Sequence, residues 1–403
     1  MQTIAEAYVK LVLAMGQHDP DYVDAYYGPA EWRKEAEAAK RSLADIRADA
    51  ETQIAALGTE AGGDELERLR HQYLRCQLGA LVSRVDLLSG KRFTFDEESK
   101  ALYDAVAPTH TEAELEAIVA EMADLVPGQG PLLDRFEAYR EGFVIPPDKL
   151  DAVFSAAIDA CRERTKEHLE LPAEETFEVA YVTGKSWSAY NWYEGGFKSL
   201  IQVNTDLPIT IDRAIDLACH EGYPGHHVYN VLLEHHLVRQ RGWVEFSVYA
   251  LFSSQSLIAE GTANFGIDVA FPGDERLAFE QDVLFPLAGL DPQAAEGYAK
   301  VRKQLDKLSY AGNEAARRYL DGQIDAAAAA AWLSTYAMTP SNRAQQRVRF
   351  YDQYRSYVIN YNLGQDMVAD YIEGLGGTAD QPAKRWEEFR KLISSPRLPS
   401  GLR

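Results

Sequence analysis

Along residues 31–56, and again along 64–88, apolar residues recur at three- and four-residue intervals between charged ones, the spacing that gathers them on one face of a helix. Segments starting at Phe95, Thr111, Leu132 and Pro147 continue the pattern, interrupted at breaks such as Val126-Pro127-Gly128. Residues 150–169 form a long amphipathic run that Pro172 stops. At Thr176 the texture changes. Residues 177–182 (Phe-Glu-Val-Ala-Tyr-Val) and 199–204 (Ser-Leu-Ile-Gln-Val-Asn) are rich in β-branched and aromatic types and read as strands. The aromatic-dense segment 187–196 lies between them. From Ile211 the helical period returns nearly to the end, and the alanine run 326–331, between Asp325 and Trp332, suits an ordinary helix.

No internal repeat and no Pro-, Gly- or Ser-rich linker divides the chain. The expectation is a mainly α fold, a large multi-helix body with a small antiparallel β-sheet insertion beside the helix that carries the chemistry. Residues 1–175 are expected as a helical scaffold and 176–403 as the catalytic region. Within the latter, 176–205 would be the β insertion, 211–271 the metal-binding helices and 274–395 the C-terminal helices, all in one compact body.

Composition narrows the partners. With 46% apolar and 26% charged residues over 403 positions, the chain suits a folded protein with a deep core. Its 41 basic and 62 acidic side chains leave a formal charge of −21, which repels nucleic-acid backbones and anionic membrane surfaces. Neither is expected as a partner, and no oligomeric state follows. Cys76, Cys161 and Cys219 are too few and too scattered for a disulfide framework or an all-cysteine metal site. No stretch approaches the roughly 18 apolar residues of a membrane span, and the opening residues lack the basic flank and apolar core of a signal peptide. A cytoplasmic protein is expected.

The chemistry concentrates in Cys219-His220-Glu221-Gly222-Tyr223-Pro224-Gly225-His226-His227. Three of the nine histidines fall within eight residues, with a glutamate directly after the first. Two imidazoles and a neighbouring carboxylate on a helix are how zinc peptidases hold their metal and activate water. The spacing departs from HExxH, because the position four after His220 is Pro224. At roughly 100° per residue, an ideal helix places His227 about 20° from His220 and His226 about 120° away. Pro224 and Gly225 break such a helix. A straight helix favours His227 as the second ligand, and a bulged one favours His226.

A third protein ligand is needed beside an open position. Glu260 is a lone acid in an apolar, small-residue stretch 40 residues after His220, where a carboxylate is costly unless paired or metal-bound. Gly261 and Ala263 would let the two helices approach closely. Asn264, one turn on, could orient an imidazole.

His220-Glu221-Gly222-Tyr223-Pro224-Gly225-His226-His227, followed by Glu260-Gly261, resembles the bacterial family filed as domain of unknown function eight-eight-five, whose pattern is HExxPGHH and then EGWA. The resemblance implies a mostly helical zinc-dependent hydrolase, similar to gluzincin peptidases, with a long substrate channel. It implies His220, His226 (His227 as the alternative) and Glu260 as ligands to one Zn2+ per chain, with another divalent metal as an option, and Glu221 as general base. The chain departs from the family at Thr262-Ala263-Asn264-Phe265, where Trp-Ala and then an aromatic and an acid are usual. The family's Tyr-x-x-Gly element matches Tyr361-Asn362-Leu363-Gly364. Tyr361 is thereby a candidate oxyanion donor, with Arg355 as a carboxylate clamp and Tyr357 beside it on the substrate. In gluzincins an edge strand pairs with the extended substrate. Residues 179–183 or 200–204 could supply it, with Tyr190, Trp192 and Tyr193 lining subsites.

The expected activity is hydrolysis of peptide bonds in short peptides, carboxypeptidase- or dipeptidase-like. The alternatives are an amidohydrolase acting on a non-peptide metabolite and a non-catalytic protein with a structural metal.

Overall fold

The computed structural model describes residues 1–185, 187–206 and 208–402. Ser186, inside the expected β insertion, Leu207 and Arg403 lie outside them. The fold is mainly α, and its elements follow local sequence closely where a cap fixes them. The helix Glu65–Leu88 opens on a reciprocal cap. Asp64 accepts from the Glu67 backbone N–H, and the Glu67 carboxylate accepts from that of Asp64. The run expected over 31–56 is two helices, Ala30–Ala39 and Leu43–Leu57. Lys40 turns into the left-handed region (φ 45°), and Ser42 then caps the second helix.

Among the described residues the strands are β1 (Val23–Tyr26), β2 (Thr176–Val182), β3 (Ala189–Gly195), β4 (Lys198–Asn204) and β5 (Val248–Ala250). β3, formed by the aromatic segment, and β4 make an antiparallel hairpin, turning through Gly195, Gly196 and Phe197, all at positive φ. β2 joins the other side of β4 in parallel, so the order is β2-β4-β3. β4 is therefore the central strand and has no free edge. Residues 200–204 cannot pair with a substrate, and the outer strands are β2 and β3. β1 and β5 form a separate antiparallel ribbon that joins the expected scaffold and metal-binding regions. At four and three residues they are too short to show an alternation.

The helix Ser254–Ala270 is buried along most of its length. At Gly261 its backbone meets Gly364 of the helix Ile359–Gly374 so closely that a Cβ at 261 would lie 2.4 Å from the Gly364 carbonyl atoms. The close approach expected at Gly261 is thus made with the C-terminal helix. Gly266 performs the matching task for the His220 segment, giving room to the Pro224 ring. One continuous core runs from Ala5 to Leu402, so the scaffold and catalytic regions share it. The scattered cysteines are not all apart: the buried Cys161 and Cys219 meet sulfur to sulfur at 2.6 Å. Among the described residues no helix is long and apolar enough to cross a membrane.

Candidate metal centre

The His-Glu segment is bulged. The helix Asp212–Leu217 widens into a π turn over Ala218–Gly222, leaves helical geometry at Tyr223, passes a cis Tyr223-Pro224 bond and restarts as His226–Leu232. Gly225 is required at the restart. Its N–H donates to the Cys219 carbonyl at 2.9 Å, and a Cβ there would lie 1.9 Å from the His220 carbonyl oxygen. The reversal folds His226 back over His220.

The result is a compact triangle. His220 Nε2 and His226 Nε2 are 3.1 Å apart, and Glu260 Oε2 is 3.3 Å from the first and 3.7 Å from the second. Three ligands about 2.0–2.1 Å from a tetrahedral zinc stand roughly 3.3 Å from one another, so this triangle has the size of a zinc site. Glu260 Oε2 is buried without a hydrogen-bond partner, while Oε1 accepts from the Tyr357 hydroxyl at 2.8 Å. The donor set of two imidazoles and a carboxylate fits a divalent cation.

Neighbouring groups set the proton positions within this triangle. Asn264 Oδ1 faces His220 Nδ1 at 2.8 Å, and the Asn264 amide donates to the Tyr361 carbonyl at 3.0 Å. That second bond fixes which end of the amide faces the ring. His220 therefore carries its proton on Nδ1 and offers Nε2 as a lone pair. Burial opposes charge on His226, but the Glu260 carboxylate and the fields of Glu221 and Asp24 outweigh it and raise the imidazole to about 9. Burial likewise opposes charge on Glu260, and the two histidines outweigh it, holding its carboxyl far below the usual range.

His227 is excluded as a ligand. It is fully buried, with Nδ1 against the Ser199 hydroxyl and Nε2 against the Glu175 carboxylate, both at 2.9 Å. The same Glu175 oxygen accepts from the Tyr223 hydroxyl at 2.6 Å, and Lys166 pairs with the other. This network clamps the bulged turn from beneath.

Glu221 lies next to the triangle, buried, with no donor to its carboxylate among the described residues. Asn191 of β3 binds its backbone oxygen at 2.7 Å. The field of Glu221 reaches Tyr361, whose ring packs edge-on against Tyr357. Burial and the nearby carboxylates keep the Tyr361 hydroxyl protonated, hence a donor, and nothing among the described residues accepts from it.

Two expectations are corrected. Tyr357 does not face substrate, because its hydroxyl is committed to Glu260 and its ring is buried. Arg355 is not free to clamp a carboxylate. Its Nε binds the buried Glu98 at 2.6 Å, and Ser356 binds the other Glu98 oxygen. The residue sits at φ 52° between two helices, where it locks the corner. Thr262, the departure from the family pattern, turns its hydroxyl back to the Ile258 carbonyl of its own helix.

Sequence reasoning missed Asp24. This β1 carboxylate accepts a short hydrogen bond from the Tyr190 hydroxyl of β3 and stands in the fields of His226, Glu260 and Glu221. Burial, and then the two glutamates, raise its carboxyl to about 6 despite Tyr190. The only signal was the polar-aromatic stretch Tyr22-Val23-Asp24-Ala25-Tyr26-Tyr27-Gly28, about 200 residues from the motif.

No family model and no curated protein matches the chain. Among solved structures it is similar to a "putative lipoprotein" from Colwellia psychrerythraea, at 14% identity and a TM-score of 0.56, over 90% of this chain and 68% of that one. A second, a "putative lipoprotein of unknown function" from Shewanella oneidensis, aligns at 13% identity and a TM-score of 0.48, over 90% and 76%. The first likeness is one of fold.

Proposed function

We propose that this chain is a zinc-dependent hydrolase of the family its His-Glu-Gly-Tyr-Pro-Gly-His-His segment resembles, cleaving peptide bonds of short peptides. The observation that carries the reading is the triangle of His220 Nε2, His226 Nε2 and Glu260 Oε2, with its buried carboxylate oxygen lacking any other partner.

These three residues would hold the metal. A zinc ion bound there would lower the pKa of water to about 7 and polarise a carbonyl. Glu221 accepts the proton of the attacking water and delivers it to the leaving amine. Tyr361, held protonated, donates to the oxygen that gains charge on the attacked carbonyl. Asn264 and Tyr357 keep His220 and Glu260 aimed at the ion.

Metal content by mass spectrometry, on wild type and His220→Ala, tests the site. Near one zinc per wild-type chain, lost in the variant, supports it, and a wild type that stays metal-free after zinc is added overturns it. A peptide library then separates the readings. Hydrolysis of non-peptide amides alone points to a metabolite amidohydrolase, and zinc without any turnover points to a structural metal.

A further inference from the structure

With Arg355 tied to Glu98, the clamp expected for a substrate carboxylate is withdrawn. The other pole of the site is acidic. Asp24, Glu221 and Glu260 all act electrostatically on His226, and Tyr190, which binds Asp24, neighbours Asn191, whose amide donates to the Glu221 carbonyl at 2.7 Å. A dication held by His220, His226 and Glu260 offsets part of this charge, and Glu221 is occupied with the proton of water. Asp24 remains. Among the described residues no lysine, arginine or histidine lies within ion-pair distance of it, and its single hydrogen bond comes from Tyr190.

The surroundings of Asp24 are aromatic. The Tyr190 ring lies tilted against Trp192, centroids 4.5 Å apart, and against Trp187 at 5.7 Å. Tyr249 of β5 and Tyr354 also lie in the field of Asp24. A carboxylate held by a phenol, with no lysine or arginine paired to it among the described residues, is a seat for an ammonium group, which gains from the charge. The seat is built on the β1–β5 ribbon, so its position relative to Glu260 is fixed by strand pairing and by the short link from β5 to the helix Ser254–Ala270.

We propose that Asp24 anchors a protonated amino group of the substrate, so that the site selects short peptides or amides carrying a free amine close to the bond attacked. The proposal rests on the hydrolase reading for the bond and on Asp24 and Tyr190 for the amine. Asp24 is on this view a specificity-determining residue.

The test is calorimetric binding of a matched pair, phenylalanyl-alanine and its N-acetyl derivative, to zinc-loaded Glu221→Gln protein, with and without Asp24→Asn. Asparagine keeps the shape and the bond from Tyr190 and removes only the charge. The free-amine peptide is expected to bind at least about tenfold more tightly than the acetylated one, and Asp24→Asn to bring that ratio close to one. The ratio is taken on one preparation, so a partly unfolded variant does not mimic the result. Equal binding of the two peptides, a ratio that Asp24→Asn leaves unchanged, or binding of neither overturns the anchor. Turnover of both peptides by wild type is followed in parallel. A free-amine peptide that binds with the expected preference but is never cleaved overturns the hydrolase reading and leaves the anchor standing.

Discussion

Asn264 Oδ1 sits 2.8 Å from His220 Nδ1, and its amide nitrogen is bound to the Tyr361 carbonyl. One side chain therefore fixes the tautomer of the proposed first ligand and ties its own helix, which carries Glu260, to the helix that carries Tyr361, the proposed oxyanion donor. Removing it should cost metal affinity without removing a ligand. Asn264→Ala is expected to bind zinc about 10–100-fold more weakly, by the usual effect of an outer hydrogen bond on a ligating histidine. Competition against a chromophoric chelator checks this, and an unchanged affinity would show that the ring is aimed by packing alone.

Glu221 has no structural partner for its carboxylate, so its loss should spare both fold and metal. Glu221→Gln is expected to retain near one zinc per chain and the wild-type melting temperature, with kcat lowered by about 10²–10⁴. Full activity in this variant would remove Glu221 from the mechanism.

Tyr357 and Tyr361 pack edge to face, and different roles are proposed for them. Tyr357→Phe strips a hydrogen bond from Glu260 and should show as weaker zinc binding. Tyr361→Phe should keep the zinc and lose about 10²–10³ in kcat, the usual magnitude for one oxyanion donor. Parallel metal titration and steady-state kinetics separate the two, and exchanged phenotypes would reverse the assignment.

Gly261→Ala drives a methyl to 2.4 Å from the backbone of Gly364. Neither helix can yield locally, because both sides of the contact are main chain. A loss of about 1–3 kcal/mol in denaturant unfolding is expected, with zinc binding weakened as Glu260 shifts. A neutral result would mean that the helices separate freely.

Glu175 provides the pH test. Its burial favours the neutral acid, but His227, Lys166 and Tyr223 outweigh that and hold the carboxyl down to about 2, from an ordinary value of 4.5. A depressed pKa stabilises the fold in full above 4.5 and loses that contribution as pH falls towards 2. The urea midpoint of wild type should drop across this window, and Glu175→Gln should flatten the dependence while lowering the midpoint at pH 7. Equal slopes would show that the clamp under the bulged turn is not electrostatic.

The helical body was legible because period and caps are local. The reciprocal cap at Asp64 and Glu67 and the amphipathic run stopped by Pro172 act within a few residues of themselves. The metal candidates were legible for the same reason, since His220 and His226 lie six residues apart and Glu260 stands out as an acid in an apolar stretch. The choice between His226 and His227 was not. It depends on a π turn and on Glu175, which occupies one nitrogen of His227 from 52 residues away. Arg355 and Tyr357 were misassigned because a polar group among apolar ones signals only that it has a partner. Their partners, Glu98 and Glu260, lie 257 and 97 residues distant.

What the sequence by itself determined is the class of fold and the residue types that could serve as ligands, because both depend on residue type at short spacing. Only the tertiary structure decided which imidazole turns toward Glu260, which arginine is already spent, and that Asp24 stands at the site. Those outcomes depend on which groups remain unpaired after the chain has packed, and no stretch of sequence carries that count.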